Sequence, residues 1–337
     1  MFCCPSCFSD GFLKDHINAE SSSFGDCSFC KAKGQNLIDP AELYDRFEPL
    51  VGLYRGVREG SALNKLLHDD WNVFSFNRPR IQQRLLKLIL GEPELFKTKF
   101  EPVFSINKTN IDQWESFREE LKHNNRFFPK DAPKYEDIEP FGKYVGIVYD
   151  IGSTKLFRAR KNRSGIPKDI SEMGKPPKEN ATNGRANPHG IPYLYLASTI
   201  ETAISENRGH KGETLTIAEF HVTSKLELAD LRDPKSTISP FELNEEDELE
   251  LLYKNIPFLT FLGNELSKPI IPNEANIEYL SSQYLCELFK LIGFHGIIYK
   301  SSVSKGHNYV IFDDSKLEAI TTYQYKITDV VTKSRKL

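Results

Sequence analysis

Five of the six cysteines in this 337-residue chain lie within its first 30 residues. They read Cys3-Cys4-Pro-Ser-Cys7 and then Cys27-Ser-Phe-Cys30, two C-x-x-C pairs with 19 residues between them. A C-x-x-C turn aims two thiolates at one point, and two such turns complete a tetrahedron. The spacing is that of a zinc ribbon, so residues 1–35 are expected to fold around a structural zinc held by Cys4, Cys7, Cys27 and Cys30. Cys3 is the substitute for Cys4 in that set. Four thiolates leave no open coordination position for a water, so the ion would be structural. Cys286 falls on the apolar face of a helical stretch and reads as core.

After the ribbon the apolar residues recur at helical spacing. Asp39-Pro40 supplies an N-cap and a first turn, and Leu43, Phe47, Leu50 and Tyr54 follow. A second helix is expected from Arg80 to about Leu90, with Ile81, Leu85 and Leu88 on one face and Gly91 as its stop. A third covers roughly Ile111 to His123. Residues 36–140 are therefore expected to form a mainly helical domain, with the Pro-rich stretch Phe127 to Tyr144 as the linker. From there to about residue 325 the pattern changes to short strands at 155–160, 193–198, 214–222, 226–231, 296–302 and 308–312. Helices are expected after Thr199, from about Asn244, and over Ile277 to Ile292. Strands separated by both helices and turns predict an α+β domain with a mixed sheet. The run Glu245 to Glu250, "EEDELE", reads as a solvated first helical turn.

The composition narrows the function. Hydrophobic residues make up 39%, charged residues 27%, and the net charge is −3. There is no general electrostatic footprint for nucleic acid, although a local patch stays open. No apolar run is long enough to span a membrane. No charged-then-apolar leader opens the chain, which is expected to be cytoplasmic. Walker, GxGxxG, HExxH and GxSxG motifs are absent, so the common nucleotide-fold and hydrolase readings have no support.

What remains is a set of polar residues in apolar strands and turns. Arg158 sits in "LFRAR", where a guanidinium needs either an internal ion pair or a bound anion. Arg185 follows Gly184 in a turn, as a surface group or as a fork for phosphate. Tyr193 and Tyr195 alternate onto one strand face, as core or as a stacking surface. Glu206 ends the short helix that follows, and alone it would read as a solvated glutamate. Ser301, Ser302 and Asn308 flank a Gly306 turn, as turn formers or active-site groups.

Taken in order, "LFRAR", "MGKPP", "GRANPHGIPYLYLASTIETAISE" and "GFHGIIYKSSVSKGHNYVIF" resemble the RES family, over about residues 150–315. The resemblance implies a fold like that of the ADP-ribosyltransferases and NAD as substrate. The implied activity is NAD cleavage, by hydrolysis or phosphorolysis, in a bacterial toxin or antiphage effector. Transfer of ADP-ribose to a protein is the alternative, and a binding module with an inactive RES domain is the third reading. It implies Glu206, Ser301 and Tyr195 as catalytic residues. Arg158, Arg185, Tyr193, Ser302 and Asn308 would bind the substrate, and Ser302 is the second choice for the family serine. No metal is needed at that site. An antitoxin or other regulatory protein is the implied partner, the family's toxins being often at least dimeric with their antitoxins, and a homo-oligomer is left open; no membrane and no nucleic-acid partner are expected. The region before it is similar to the HEPN-like domain of some larger RES proteins. Arg118 and His123 match the R-x4-H ribonuclease motif of such domains literally, and a plain helix face is the expected reading of them.

Overall fold

The computed structural model describes residues 1–106, 108–243 and 245–331. The chain divides into two compact units, each discontinuous in sequence: residues 1–108 with 234–260, and residues 109–233 with 261–337. Helices and a large mixed sheet together make an α+β protein. Among the described residues no helix is long and apolar enough to cross a membrane.

In the first unit, α1 (Gly11–Glu20) lies inside the cysteine-rich segment, where no helix was expected. Asp10 caps it by accepting from Leu13 N at 2.8 Å, and Leu13 and Ile17 bury one stripe. Strands β1 (Ser23–Gly25) and β2 (Gln35–Leu37) pair beside it. Asp39 caps the turn Pro40–Leu43 ahead of α2 (Tyr44–Gly52), where Phe47 and Leu50 are buried. Tyr54, expected on this helix, instead starts β3 (Tyr54–Val57). Helix α3 (Leu63–Trp71) was not foreseen. Helix α4 (Pro79–Leu90) begins with proline at its first position and stops at Gly91, whose φ of 68° suits glycine. Its buried stripe is Leu85, Leu86 and Ile89, rotated from the expected Ile81–Leu85–Leu88 line. Strand β4 (Lys99–Pro102) pairs with β3.

The second unit opens with α5 (Thr109–His123). Its Arg118 binds Glu265 at 3.1 Å and its Lys122 binds Glu278 at 2.6 Å. The arginine of the R-x4-H match is thus held in a packing ion pair, and His123 is exposed, as expected of a plain helix face. The expected linker is in part folded. From Tyr135 it forms α6 (Tyr135–Ile138) and α7 (Gly142–Val145), with Ile138 and Phe141 buried.

Eight strands follow: β5 (Gly146–Tyr149), β6 (Lys155–Lys161), β7 (Leu194–Ala197), β8 (Thr214–Val222), β9 (Leu226–Asp230), β10 (Gly296–Lys300), β11 (His307–Ile311) and β12 (Leu317–Lys326). They form one sheet in the order β12-β8-β6-β7-β11-β10-β9-β5. Only β9 and β10 run parallel. The edge strands β5 and β12 were missed in the sequence. Helix α8 (Ile200–Glu206) follows β7. Helices α9 (Pro234–Thr237) and α10 (Glu246–Ser267) follow β9, with α10 belonging to the first unit as far as Thr260. Asn244, the expected start of that helix, lies outside the described residues. The expected helix at 277–292 is broken into α11 (Ala275–Glu278) and α12 (Leu280–Ile292).

Strand periodicity sorts the side chains. Leu156, Leu194, Leu196, Ala218, Phe220, Ile298, Tyr309 and Ile311 fill the core on one face. Ala159, Ala197, Ala203, Leu215 and Ile217 fill the other, under α8. Strands β6 and β7 are joined by the single pair Phe157–Ala197. Beyond that pair they part, and the gap is where the polar residues gather.

Candidate active site

A cavity of about 270 Å³ opens where β6 and β7 separate. Phe157, Arg158, Tyr195, Glu206, Tyr299 and Asn308 line it, with Asn207 at the end of α8. Four of the residues singled out in the sequence are therefore together: Arg158, Tyr195, Glu206 and Asn308.

Glu206 is positioned from two sides. Thr199 caps α8 by accepting from Thr202 N at 3.1 Å, and Asn207 ties the far end of the helix to Ala159 O on β6 at 3.0 Å. The loop between β10 and β11 closes over the helix. Thr202 Oγ1 and Ser304 Oγ hydrogen-bond at 3.0 Å, and Gly306 lies so close that a Cβ there would collide with Thr202. This docking brings Ser301 Oγ to donate to Glu206 Oε1 at 2.7 Å. Asn308 Nδ2 donates to the same oxygen at 2.6 Å. Ser301 Oγ also accepts from the backbone N–H groups of Val303 and Ser304. Ser302 makes no such contact and is not among the lining residues.

Both arginines are half-buried cations, each with one guanidinium nitrogen short of a partner. Nη1 of Arg158 and Nη1 of Arg185 are each shielded from solvent without a hydrogen bond. Burial pushes the Arg158 guanidinium down to about 9, and neighbouring Arg160 pushes in the same direction. It is still cationic at neutral pH. Asp314, the carboxylate that acts on it, is held by Lys175 at 2.5 Å. A buried guanidinium donor without a partner is costly, about 1–3 kcal/mol or more, so these groups suit an anionic ligand.

Arg185 is not among the lining residues. It sits on the Gly184–Asn187 turn, with its guanidinium 5.3 Å from the centre of the Tyr279 ring. Helix α12 grips this turn. Gln283 Nε2 donates to the carbonyls of Gly184 and Asn187 at 2.9 and 3.0 Å, and Ser282 Oγ donates to Arg185 O at 2.6 Å. The Tyr195 hydroxyl grips it from the sheet, donating to Asn187 Oδ1 at 2.7 Å and accepting from Ala186 N at 3.0 Å. Gly184 is required there, because a Cβ would collide with both Asn187 and the Tyr195 hydroxyl. Tyr195 thus offers the cavity its ring, while its hydroxyl is engaged elsewhere. Tyr193 is buried against Phe312, ring centres 4.8 Å apart, and does not reach the cavity.

Tyr299 was missed in the sequence. It pairs across the sheet with Asn308, lines the cavity, and is 4% exposed. Burial raises its phenol above the ordinary range, with Arg185 pulling down and Glu206 pushing up, so it senses both charges. Its signal was its place two residues before Ser301 on an apolar strand, which puts both on one face. Gln283 and Ser282 were missed too. Their only signal was polarity on the apolar side of α12, which reads as noise until the turn they hold is known.

The cysteine site is separate, in the first unit. The sulfurs of Cys4, Cys7, Cys27 and Cys30 all lie within 4.8 Å of one another. Cys4 meets Cys30 and Cys7 meets Cys27 at 3.4 Å each. Backbone N–H groups of Phe29 and Ala32 point at Cys27 and Cys30. Hydrogen bonds from the Cys4 and Cys7 thiols hold Cys27 well below the usual thiol range. A compact, largely buried tetrad of thiols fits a tetrahedral divalent ion. Cys3 is outside the tetrad, its thiol directed at Ile38 O.

Residues 155–328 match the family model for the RES domain. A solved structure similar to this chain is the crystal structure of the M. tuberculosis MbcT–MbcA toxin–antitoxin complex. It is 11% identical, covers 56% of this chain and 92% of that chain, and has a TM-score of 0.34. No curated protein matches.

Proposed function

The chain belongs to the RES family, which matches just over half of its length, and from that premise we propose that it cleaves NAD at the nicotinamide–ribose bond. The observation that carries this reading is the convergence of Arg158, Tyr195, Glu206 and Asn308 on one cavity, with Ser301 bound to Glu206. NAD brings a pyrophosphate, ribose hydroxyls and a cationic leaving group. Arg158 and Arg185 supply planar forks for the pyrophosphate. The Tyr195 ring supplies a flat surface at the nicotinamide end.

In the reaction the C1′–N bond breaks, and nicotinamide leaves with the bonding pair. The sugar passes through an oxocarbenium-like state. Among the described residues Glu206 has two donors on Oε1 and none on Oε2. Its free oxygen is suited to stabilise positive charge at C1′ or to hold the ribose hydroxyls. The acceptor then adds its oxygen to C1′ and loses a proton. Nicotinamide is a good leaving group, so positioning and electrostatics suffice and no metal takes part.

Water, phosphate and a protein side chain all fit as acceptor. Transfer to a protein is the rival reading. A binding module with an inactive RES domain fits less well, because the polar set is complete. An enzyme that destroys NAD must be restrained in its own cell, so we read it as a cytoplasmic toxin or defence effector held by an antitoxin-like partner. The cysteine tetrad would carry zinc, as the structural centre of a ribbon over residues 1–35. The HEPN-like helical domain expected over 36–140 would be confined to residues up to 108, since residues from 109 group with the catalytic domain expected over 141–325. The test is to incubate the purified protein with NAD, with and without phosphate and a cell extract, and to identify the products. Free ADP-ribose means hydrolysis, its 1-phosphate means phosphorolysis, and labelled protein means transfer. NAD left intact in all three overturns the reading.

A further inference from the structure

The net charge of the chain hides a cationic face in the first unit. From Trp71 through Gly91 the sequence holds Arg78, Arg80, Arg84 and Lys87 and no carboxylate. Arg80, Arg84 and Lys87 fall at i, i+4 and i+7 of α4, so they share one side of the helix, about 10 Å from first to last. All are exposed, while Leu85, Leu86 and Ile89 are buried. The ribbon adjoins this helix: Arg78 donates to Cys30 O at 3.5 Å, and Arg84 reaches the Met1 sulfur. Lys31, next to Cys30, and Lys33 are both exposed and lie in a stretch from Cys27 to Ile38 that also lacks acids.

Like charges at i, i+4 repel, and helices normally offset them with acids. The same unit does so elsewhere: Lys65 pairs with Asp69 at 2.6 Å on α3, and Lys254 pairs with Glu250 on α10. None of the four cations, Arg78 at the N-cap and Arg80, Arg84 and Lys87 on α4, has a carboxylate partner among the described residues. Glu42, on the turn that packs against α4, is exposed and makes no ion pair with them. Aromatic groups lie among the cations. The Arg78 guanidinium is 4.9 Å from the centre of the half-buried Phe76 ring, and Phe2 beside the ribbon is 39% exposed.

We propose that this face of α4 and the adjoining ribbon docks single-stranded nucleic acid. Three arginines offer planar forks to phosphodiester oxygens. Phe76 and Phe2 offer surfaces on which unstacked bases can rest, which a duplex does not present. The surface shares no residue with the cavity, so this inference does not depend on the NAD reading. It gives the first unit a task, recognition of a polyanion.

The experiment uses the purified full chain and a fluorescent single-stranded oligonucleotide, followed by anisotropy. Binding should weaken as salt rises between about 50 and 200 mM. The double variant Arg80→Gln, Arg84→Gln should bind at least about 10-fold more weakly at low salt and lower the slope of log K against log salt by about 1.4, the loss of two phosphate contacts on a single strand. Its melting temperature and NAD turnover should match wild type. Absence of oligonucleotide binding by wild type, or unchanged binding by the variant, overturns the proposal. Equal affinity for a duplex of the same sequence overturns the single-strand assignment. Displacement of the oligonucleotide by polyglutamate at equal charge would instead assign the face to an acidic protein.

Discussion

Ser301 Oγ donates a hydrogen bond of 2.7 Å to Glu206 Oε1, across 95 residues of sequence. Asn308 donates to the same oxygen, so one side of the carboxylate is engaged and the other is left for a ligand. Glu206→Gln keeps an oxygen for both donors and removes the charge. It should fold normally and bind NAD, yet cleave it about 100-fold or more slowly, the scale of one lost preorganised contact. NAD loss and nicotinamide release, measured at equal protein concentration, check this. Turnover near wild type would move the role to Glu201, in the first turn of the same helix.

The two neighbouring serines should separate cleanly. Ser301 holds Glu206 and also receives the N–H groups of its own turn, whereas Ser302 touches neither. Ser301→Ala should slow turnover about 10- to 100-fold, the worth of one hydrogen bond to a charged group. Ser302→Ala should leave the rate within error of wild type. Steady-state kinetics on the pair decide it, and the opposite pattern would make Ser302 the functional serine.

How much of this was legible depended on range. Arg158 was visible because a guanidinium in an apolar strand breaks an alternation that is local, whereas Glu206, on a helix, stood out only through the family resemblance. The gap between β6 and β7 was not, because it arises from strand order and from one pair, Phe157–Ala197. The edge strand β12 was lost because its alternation breaks at Ala319-Ile320-Thr321-Thr322, where the register shifts, and its Ile320, Tyr323 and Tyr325 are exposed. Tyr195 was legible as a residue, but its hydroxyl's partner, the Asn187 side chain, depends on a turn that α12 holds from 96 residues away. Helix α5 was found at nearly its true bounds, but its membership was not. It reads as part of the helical domain, while Arg118 and Lys122 bind Glu265 and Glu278 in the second unit.

The two cavity tyrosines should fail differently when their hydroxyls are removed. Tyr195→Phe breaks two hydrogen bonds that hold the Arg185 turn. It should lower the melting temperature and raise KM for NAD together. Among the described residues Tyr299 makes no hydrogen bond to that turn; it lines the cavity with Glu206 and feels the charges of Arg185 and Glu206. Tyr299→Phe should change KM or kcat while the melting temperature stays that of wild type. Thermal melts run beside the kinetics test both; loss of stability in Tyr299→Phe would make it a structural tyrosine.

Acid should reveal a different carboxylate. Glu219 accepts from His221 at 2.7 Å and Tyr323 at 3.0 Å and pairs with Lys155 at 2.9 Å. These contacts, His221 first, lower its pKa from 4.5 to about 2. A carboxyl whose folded pKa is depressed stabilises the fold fully above its unfolded value and stops doing so as pH falls through the folded one. Wild type should therefore be more stable than Glu219→Gln at neutral pH. The difference should shrink below about pH 4.5 and vanish near pH 2. Urea unfolding of both proteins across that range measures it, and a constant difference would show that the ion pairs contribute nothing.

The cysteine tetrad makes the last prediction. Its sulfurs are near enough to share one ion, and its residues belong to the first unit while those of the cavity belong to the second. Binding energy at such a site is folding energy, because the unfolded chain has no preformed tetrahedron. Cys27→Ser with Cys30→Ser removes one knuckle and should abolish binding of about one zinc per chain. Phe29 and Ile38 pack in the same segment, so the first unit should melt at lower temperature and its amides should exchange faster. NAD cleavage, which rests on residues of the second unit, should persist at a temperature where that unit stays folded. Metal analysis of the native protein comes first: a full chain purified without chelator that contains no metal would overturn the assignment of the tetrad. Loss of NAD cleavage with the sheet intact by circular dichroism would instead show that the ribbon controls the cavity.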